Sequence, residues 1–173
     1  MKKNLLRFFT LILLTGLSTT KISAQVSVSA QVFAEVIEAL TATETSQLSF
    51  GKFSPETNGG EIRLTPDGVR YVNGSVVLNG GGHSAGSFVI TGEDQATYSI
   101  TLPAGEALLT NSTGSKVMMV TDWESIPAPG IGIGMLNGGS QEVKIGATLI
   151  VGSVNDNPKG IYTGTYFVTF SYN

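Results

Sequence analysis

Gly82-His83-Ser84-Ala85-Gly86 satisfies the G-x-S-x-G pattern of a nucleophile elbow, the sharpest chemical motif in this chain. The pattern works when its serine sits on a strained strand-to-helix turn and a histidine later in the chain takes the serine proton. His83 is the only histidine in the protein, and it precedes Ser84 directly. No helical periodicity follows. A triad cannot be assembled from these parts, so the segment reads as a glycine-rich turn.

Carboxylate pairs are the next chemistry to test. Glu93 with Asp94, and Asp122 with Glu124, are the closest sets, each in or beside a turn. A glycosidase pair must face one another across a groove with shifted pKa values, a property that spacing alone does not establish. Solvated turn acids are the simpler reading. Hard oxygen ligands of this kind, with Asn155-Asp156-Asn157, also suit calcium, but none matches an EF-hand loop. Trp123 is the sole tryptophan and lies between Asp122 and Glu124. An aromatic beside acids can stack on a sugar ring, which makes Trp123 the candidate ligand contact, although a lone tryptophan in an all-β domain is more often core. Asn73-Gly74-Ser75 and Asn111-Ser112-Thr113 fit the N-glycosylation sequon. No catalytic residue, metal or cofactor is expected.

The amino end carries Lys2, Lys3 and Arg7, then an apolar run from Leu5 to Leu17, then small residues before Gln25. This is the layout of a secretory signal peptide over residues 1–24, with Ile22-Ser23-Ala24 as the cleavage site. The apolar run is shorter than the ~20 residues of a spanning helix. No membrane insertion is therefore expected after cleavage, and the chain is expected in the periplasm, at the cell surface or outside the cell. Four of the ten basic residues precede Gln25, leaving six against thirteen acids, a net charge of −7. A nucleic-acid partner needs the opposite sign, and an anionic membrane surface is disfavoured for the same reason. The protein contains no cysteine, so burial and strand pairing alone hold the fold, and thiol chemistry is excluded.

About 150 residues remain from Gln25 to Asn173, enough for one domain. From Val26 the pattern alternates: Val26, Val28, Ala30, Val32, Ala34 and Val36 share a face, predicting a strand. Phe33 to Leu40 could also be argued as helix, and strand is the better reading. Leu48 to Phe53 predicts a short strand that Pro55 and Asn58-Gly59-Gly60 end. Glu61 to Thr65 precedes a turn at Pro66-Asp67-Gly68, and Asn73-Gly74 is the strongest hairpin signal. Ser87 to Thr91, Thr97 to Leu102, Lys116 to Thr121 and Gln141 to Val151 are further strands, the last with Val143, Ile145, Ala147, Leu149 and Val151 on one face. Ser125 to Gly139 reads as a long loop with an irregular strand at Ile131 to Met135. Gly160 to Asn173 closes the chain as an uninterrupted interior strand, with Tyr162, Tyr166, Val168, Phe170 and Tyr172 on one face. Many short strands and no sustained helical period predict an all-β sandwich.

Leu48-Ser49-Phe50-Gly51, Ala96 to Pro103, Val143 to Val151 and Gly160 to Asn173 together resemble the family of domain of unknown function 4402, found in exported bacterial proteins. The resemblance covers essentially the whole chain after Ala24, and its motifs are structural rather than catalytic. It implies an immunoglobulin-like antiparallel β-sandwich, pilin-like and similar to fimbrial subunits and the spore coat protein U group, in a Gram-negative cell envelope or beyond it. Pilins likewise end on an alternating strand with a penultimate tyrosine, here Tyr172, but many chaperone-assembled pilins carry a disulfide that this chain lacks.

The leading expectation is a non-enzymatic surface subunit of structural or adhesion type. In one version, Val26, Val28, Ala30 and Val32 leave their own domain and pair with a second copy or a related subunit along Tyr166, Phe170 and Tyr172. Pairing of that segment inside its own domain is the preferred alternative. A glycan-binding module using Trp123 and the Ser125 to Gly139 loop is the second reading, and an envelope hydrolase the third.

Overall fold

The computed structural model describes residues 24–173. The stretch read as a signal peptide lies outside the described residues, except for Ala24. The chain divides into two compact units at Glu35/Val36, and every strand belongs to the second.

Eleven strands and no helix make up the described residues. They are β1 (Thr41–Ser46), β2 (Phe53–Leu64), β3 (Arg70–Leu78), β4 (Gly86–Thr91), β5 (Thr97–Thr101), β6 (Ala107–Asn111), β7 (Val117–Ile126), β8 (Gly130–Met135), β9 (Ser140–Val151), β10 (Tyr162–Thr163) and β11 (Thr169–Tyr172). All pairings are antiparallel, in a curled, sandwich-like arrangement of a large sheet and a three-stranded one. The large sheet runs β1-β4-β9-β7-β6-β10, with β2 joining β9 and carrying β3. The small sheet runs β11-β5-β8.

The central strand is β9, the segment with the clearest alternation. One of its edges is shared: β4 pairs with residues 140–145, and β2 with residues 147–151. Its other edge takes β7. The change of partner falls at Gly146, where a Cβ would meet the Leu64 carbonyl and the Pro66 ring. Val143, Ile145, Ala147, Leu149 and Val151 are all buried, as their common face predicts.

Two apolar clusters fill the interior. One gathers Phe50, Ile62, Leu64, Val76, Met118, Val120, Ala147, Leu149 and Val151. The other gathers Ile90, Tyr98, Ile100, Leu136, Val143 and Ile145. Trp123 packs against both.

The structure corrects the sequence reading at several places. Residues 24–40 form neither the predicted strand nor a helix: Val26 is 84 % exposed, Val32 96 % and Val36 97 %, and Val28, Ala30 and Ala34 are exposed with them. Alternation makes a segment competent for a sheet, but a strand also needs a neighbour to receive its backbone groups. Pro55 and Gly59-Gly60 do not end a strand. They lie inside β2, where the register against β3 slips between Pro55 and Gly59. Asn73-Gly74 is not a hairpin turn either: Asn73 faces Glu61 and Gly74 faces Gly60 in mid-ladder. A Cβ on Gly74 would lie 2.8 Å from Gly60 Cα, so glycine serves a close backbone approach there. The hairpin turns instead at Thr65–Val69, around the predicted Pro66-Asp67-Gly68.

Ser125 to Gly139 is not a long loop, although the irregular strand predicted at Ile131 to Met135 is present as β8. β7 extends to Ile126, and β8 pairs with β5 through Thr97↔Met135 and Tyr98↔Gly134. The carboxy-terminal strand is neither continuous nor interior. It splits into β10 on β6 and β11 on β5, and Gly164–Val168 between them joins no ladder. The chain is passing from the large sheet to the small one. Gly164 sits where any Cβ would run into the Leu108 carbonyl.

Candidate functional site

The terminal strand alternates as the sequence requires: Tyr166, Val168, Phe170 and Tyr172 turn inward onto the second cluster, and Phe167, Thr169 and Ser171 turn out. Phe170 meets Phe88 at 6.0 Å and Tyr98 at 6.2 Å between ring centroids. Tyr166 stacks on Trp123 at 4.9 Å and 25°, and stands edge-on to Phe88 at 6.4 Å. Yet all four inward side chains are only half-buried. The reason is topological. β11 ends the three-stranded sheet, with β5 on one side and no strand on the other among the described residues. With Gly164–Val168 also unpaired, this stretch presents a row of unclaimed backbone donors and acceptors over half-covered aromatic and aliphatic groups.

One end of this edge is clasped. The Tyr172 hydroxyl donates to the Glu38 carbonyl (2.9 Å) and accepts from the Glu93 amide (2.7 Å). The Glu93 carboxylate accepts from the Glu38 amide (3.0 Å). The penultimate tyrosine therefore ties the chain just ahead of β1 to the β4–β5 turn. The sequence reading singled out Tyr172 and Glu93 for other reasons and missed Glu38, because their meeting spans 134 residues and no local pattern encodes it.

Trp123 joins the two interior clusters rather than standing clear as a platform. One face of its indole stacks on Tyr166, and its Nε1–H donates to the Gly105 carbonyl (3.1 Å). Its remaining exposure lines an open groove of about 380 Å³ with Leu102, Pro103, Glu106, Asp122 and Pro129. Asp122 has φ of 49°, at a register slip of β7 against β9 between Thr121 and Glu124.

The remaining motifs are held by structural bonds. Ser84 Oγ donates to the Gln47 carbonyl (2.7 Å), and Ser84 bridges Ser49 through the main chain. His83 Nε2 lies 3.1 Å from the Gly68 carbonyl oxygen. No helix follows the motif. Glu124 is engaged by Arg63 at 2.7 and 2.9 Å, separately from Asp122, whose carboxylate accepts from Thr121 Oγ1. Asn157 is buried, with its amide donating to Val117 and its Oδ1 accepting from Gly152. No cluster of three or more metal-binding side chains occurs among the described residues. Asn111 is buried and its Oδ1 accepts from the Thr113 amide and hydroxyl, so this sequon is folded into a tight turn.

Asp94 accepts from the side chain of Gln95 and from the Gly138 and Gly139 amides, and these bonds hold its carboxyl below the usual carboxylate range. Its stabilising contribution is complete above the ordinary value of 3.8 and is lost as pH falls through the lower folded value. The Gly138 and Gly139 amide resonances are expected to shift only at the acid end of an NMR titration, and to lose that transition in Asp94→Asn.

Burial has the opposite effect on two phenols. Desolvation pushes Tyr98 and Tyr166 up to about 12, with Glu44 adding to the shift at Tyr166. The Tyr166 hydroxyl is buried without a hydrogen-bond partner among the described residues. Both contribute stability that is full below the unfolded value of 10 and drains away as pH rises toward 12. An alkaline titration followed by phenolate absorbance is expected to show two late tyrosines, released together with unfolding. Early, reversible ionisation of all five would contradict it.

The fold defines an antiparallel, all-β, sandwich-like protein whose terminal strand borders an open edge. The chain belongs to the family described as domain of unknown function (DUF4402), whose model matches residues 40–172. That match covers the strands and stops short of the alternating segment from Val26 to Val36. No curated protein and no solved structure gives a significant match to the chain.

Proposed function

We propose that this chain is an exported, non-enzymatic subunit of a cell-surface structure, of fimbrial or adhesion type, joined to its neighbours by β-strand pairing. The observation that carries the reading is the open edge from Gly164 to Tyr172, lying over the half-buried Tyr166, Val168, Phe170 and Tyr172. An edge that is uncharged and unpaired is a template for another strand unless something covers it. The signal-peptide layout supports export, and the structural bonds of Ser84, His83 and the acids support a non-enzymatic role. The test is to fractionate the host cell and determine the protein's intact mass. Recovery in high-molecular-weight envelope or extracellular material, with a chain beginning at Gln25, is expected. A cytosolic monomer that keeps Met1 would overturn the reading.

The groove beside Trp123 favours glycan binding as a second reading. A glycan array on which the protein retains no sugar removes it.

A further inference from the structure

Two features of the molecule are each incomplete alone. The segment Val26–Val36 has a strand's alternation but carries no secondary structure, and its valines are exposed. The terminal stretch Tyr162–Tyr172 has an inward apolar face, one unpaired edge at β10 and at β11, and no strand partner across Gly164–Val168. Each spans eleven residues, roughly 35 Å when fully extended. Within Gln25–Ile37 the only charge is Glu35, and Gly160–Asn173 carries none. On a body whose net charge without residues 1–24 is −7, these are surfaces that two copies can bring together without opposing like charges. The family match, which begins at residue 40, leaves the segment outside the matched residues.

We infer that the occupant of the open edge is the Val26–Val36 segment of a second copy of this chain. This rests on the strand-pairing reading above and adds the identity of the partner. The valine face, with Val26, Val28, Ala30 and Val32, turns onto Tyr166, Val168, Phe170 and Tyr172, while Ser27, Ser29 and Gln31 stay in solvent. Because each copy both offers a segment and exposes an edge, the contact is head-to-tail and does not close on itself by a two-fold axis. Chains of copies follow, rather than dimers.

The absence of cysteine makes the contact directly testable. Chains carrying Ser27→Cys, Ser29→Cys or Gln31→Cys are mixed with a chain carrying Ser171→Cys and oxidised. All four positions lie outside the buried core, so folding is not at stake. At least one mixture is expected to give a disulfide-linked pair of the two variants. Val28→Asp with Val32→Asp is expected to abolish the pair and to reduce light-scattering mass to one chain, with an unchanged circular dichroism spectrum and Tm. A chain bearing both cysteines that closes its disulfide internally, leaving a monomer, would show that the segment completes its own sandwich and overturn the inference. Oligomers that survive Val28→Asp with Val32→Asp, without mixed disulfides, would overturn it too, while leaving an assembling subunit whose edge takes a different strand. A protein found in the envelope but monomeric at every concentration would likewise sink the self-partner and spare the export reading.

Discussion

Tyr98→Ala is expected to destabilise the fold by about 3–5 kcal/mol, the usual cost of deleting a fully buried aromatic ring. Tyr98 has no exposed surface and packs against Phe170 and over Gly134. Its hydroxyl donates to Gln141 Oε1 (2.7 Å), which also accepts from the Met135 amide (2.9 Å). One side chain thereby pins β5 to β8 and to the start of β9. Tyr98→Phe keeps the ring, and Gln141 keeps its other donor, so about 1 kcal/mol is expected there. Urea denaturation of the two variants separates ring from hydroxyl. The alanine variant is expected to lose roughly 10–20 °C in Tm. Equal losses in both would mean that the hydrogen bond, and not the packing, dominates.

Gly146→Ala is the second large effect, at about 3 kcal/mol, the upper end of overpacking costs. A methyl group at Gly146 would run into the Leu64 carbonyl and come within 2.7 Å of the Pro66 ring. Leu64 is itself paired with Ala147, so the obstructing atom belongs to a ladder held on both sides. Contrast is available at Gly105, where a Cβ meets nothing within 4 Å. Gly105→Ala is expected to leave Tm nearly unchanged. A Gly146→Ala protein as stable as the parent would show that β2 can withdraw from β9 at little cost.

These residues also mark where local pattern was readable. β9 was plain from its sequence because both of its edges are paired and its inward face is wholly apolar. β5 was legible for a related reason, its alternation agreeing with its burial. Several errors share a cause: glycine and proline punctuate a chain, but whether they mark a turn or a close approach depends on the strand opposite. Asn73-Gly74 looks like a hairpin tip until Gly60 is placed across from it. Ile131 to Met135 reads correctly as an irregular strand, and its glycines make sense once the Tyr98 ring is set over Gly134. β6 was missed because Ala107-Leu108-Leu109 is too short to show a period. At the candidate site, the inward face of the terminal strand was legible, and its unpaired edge was not. Side-chain period identifies faces, whereas edge occupancy depends on which distant strand arrives.

The clasp of Tyr172 on Glu38 and Glu93 has a consequence for the order in which the molecule is made. Both interior clusters receive side chains from the final dozen residues: Tyr162 for one, and Tyr166, Val168, Phe170 and Tyr172 for the other. A chain that emerges amino end first cannot complete either cluster until Tyr162 to Tyr172 has been made. Glu38 and Tyr172 must then find each other across 134 residues, the kind of non-local closure that makes all-β domains fold in milliseconds to seconds. Until Tyr162 to Tyr172 arrives, both clusters lack the aromatic and aliphatic groups that partly cover them.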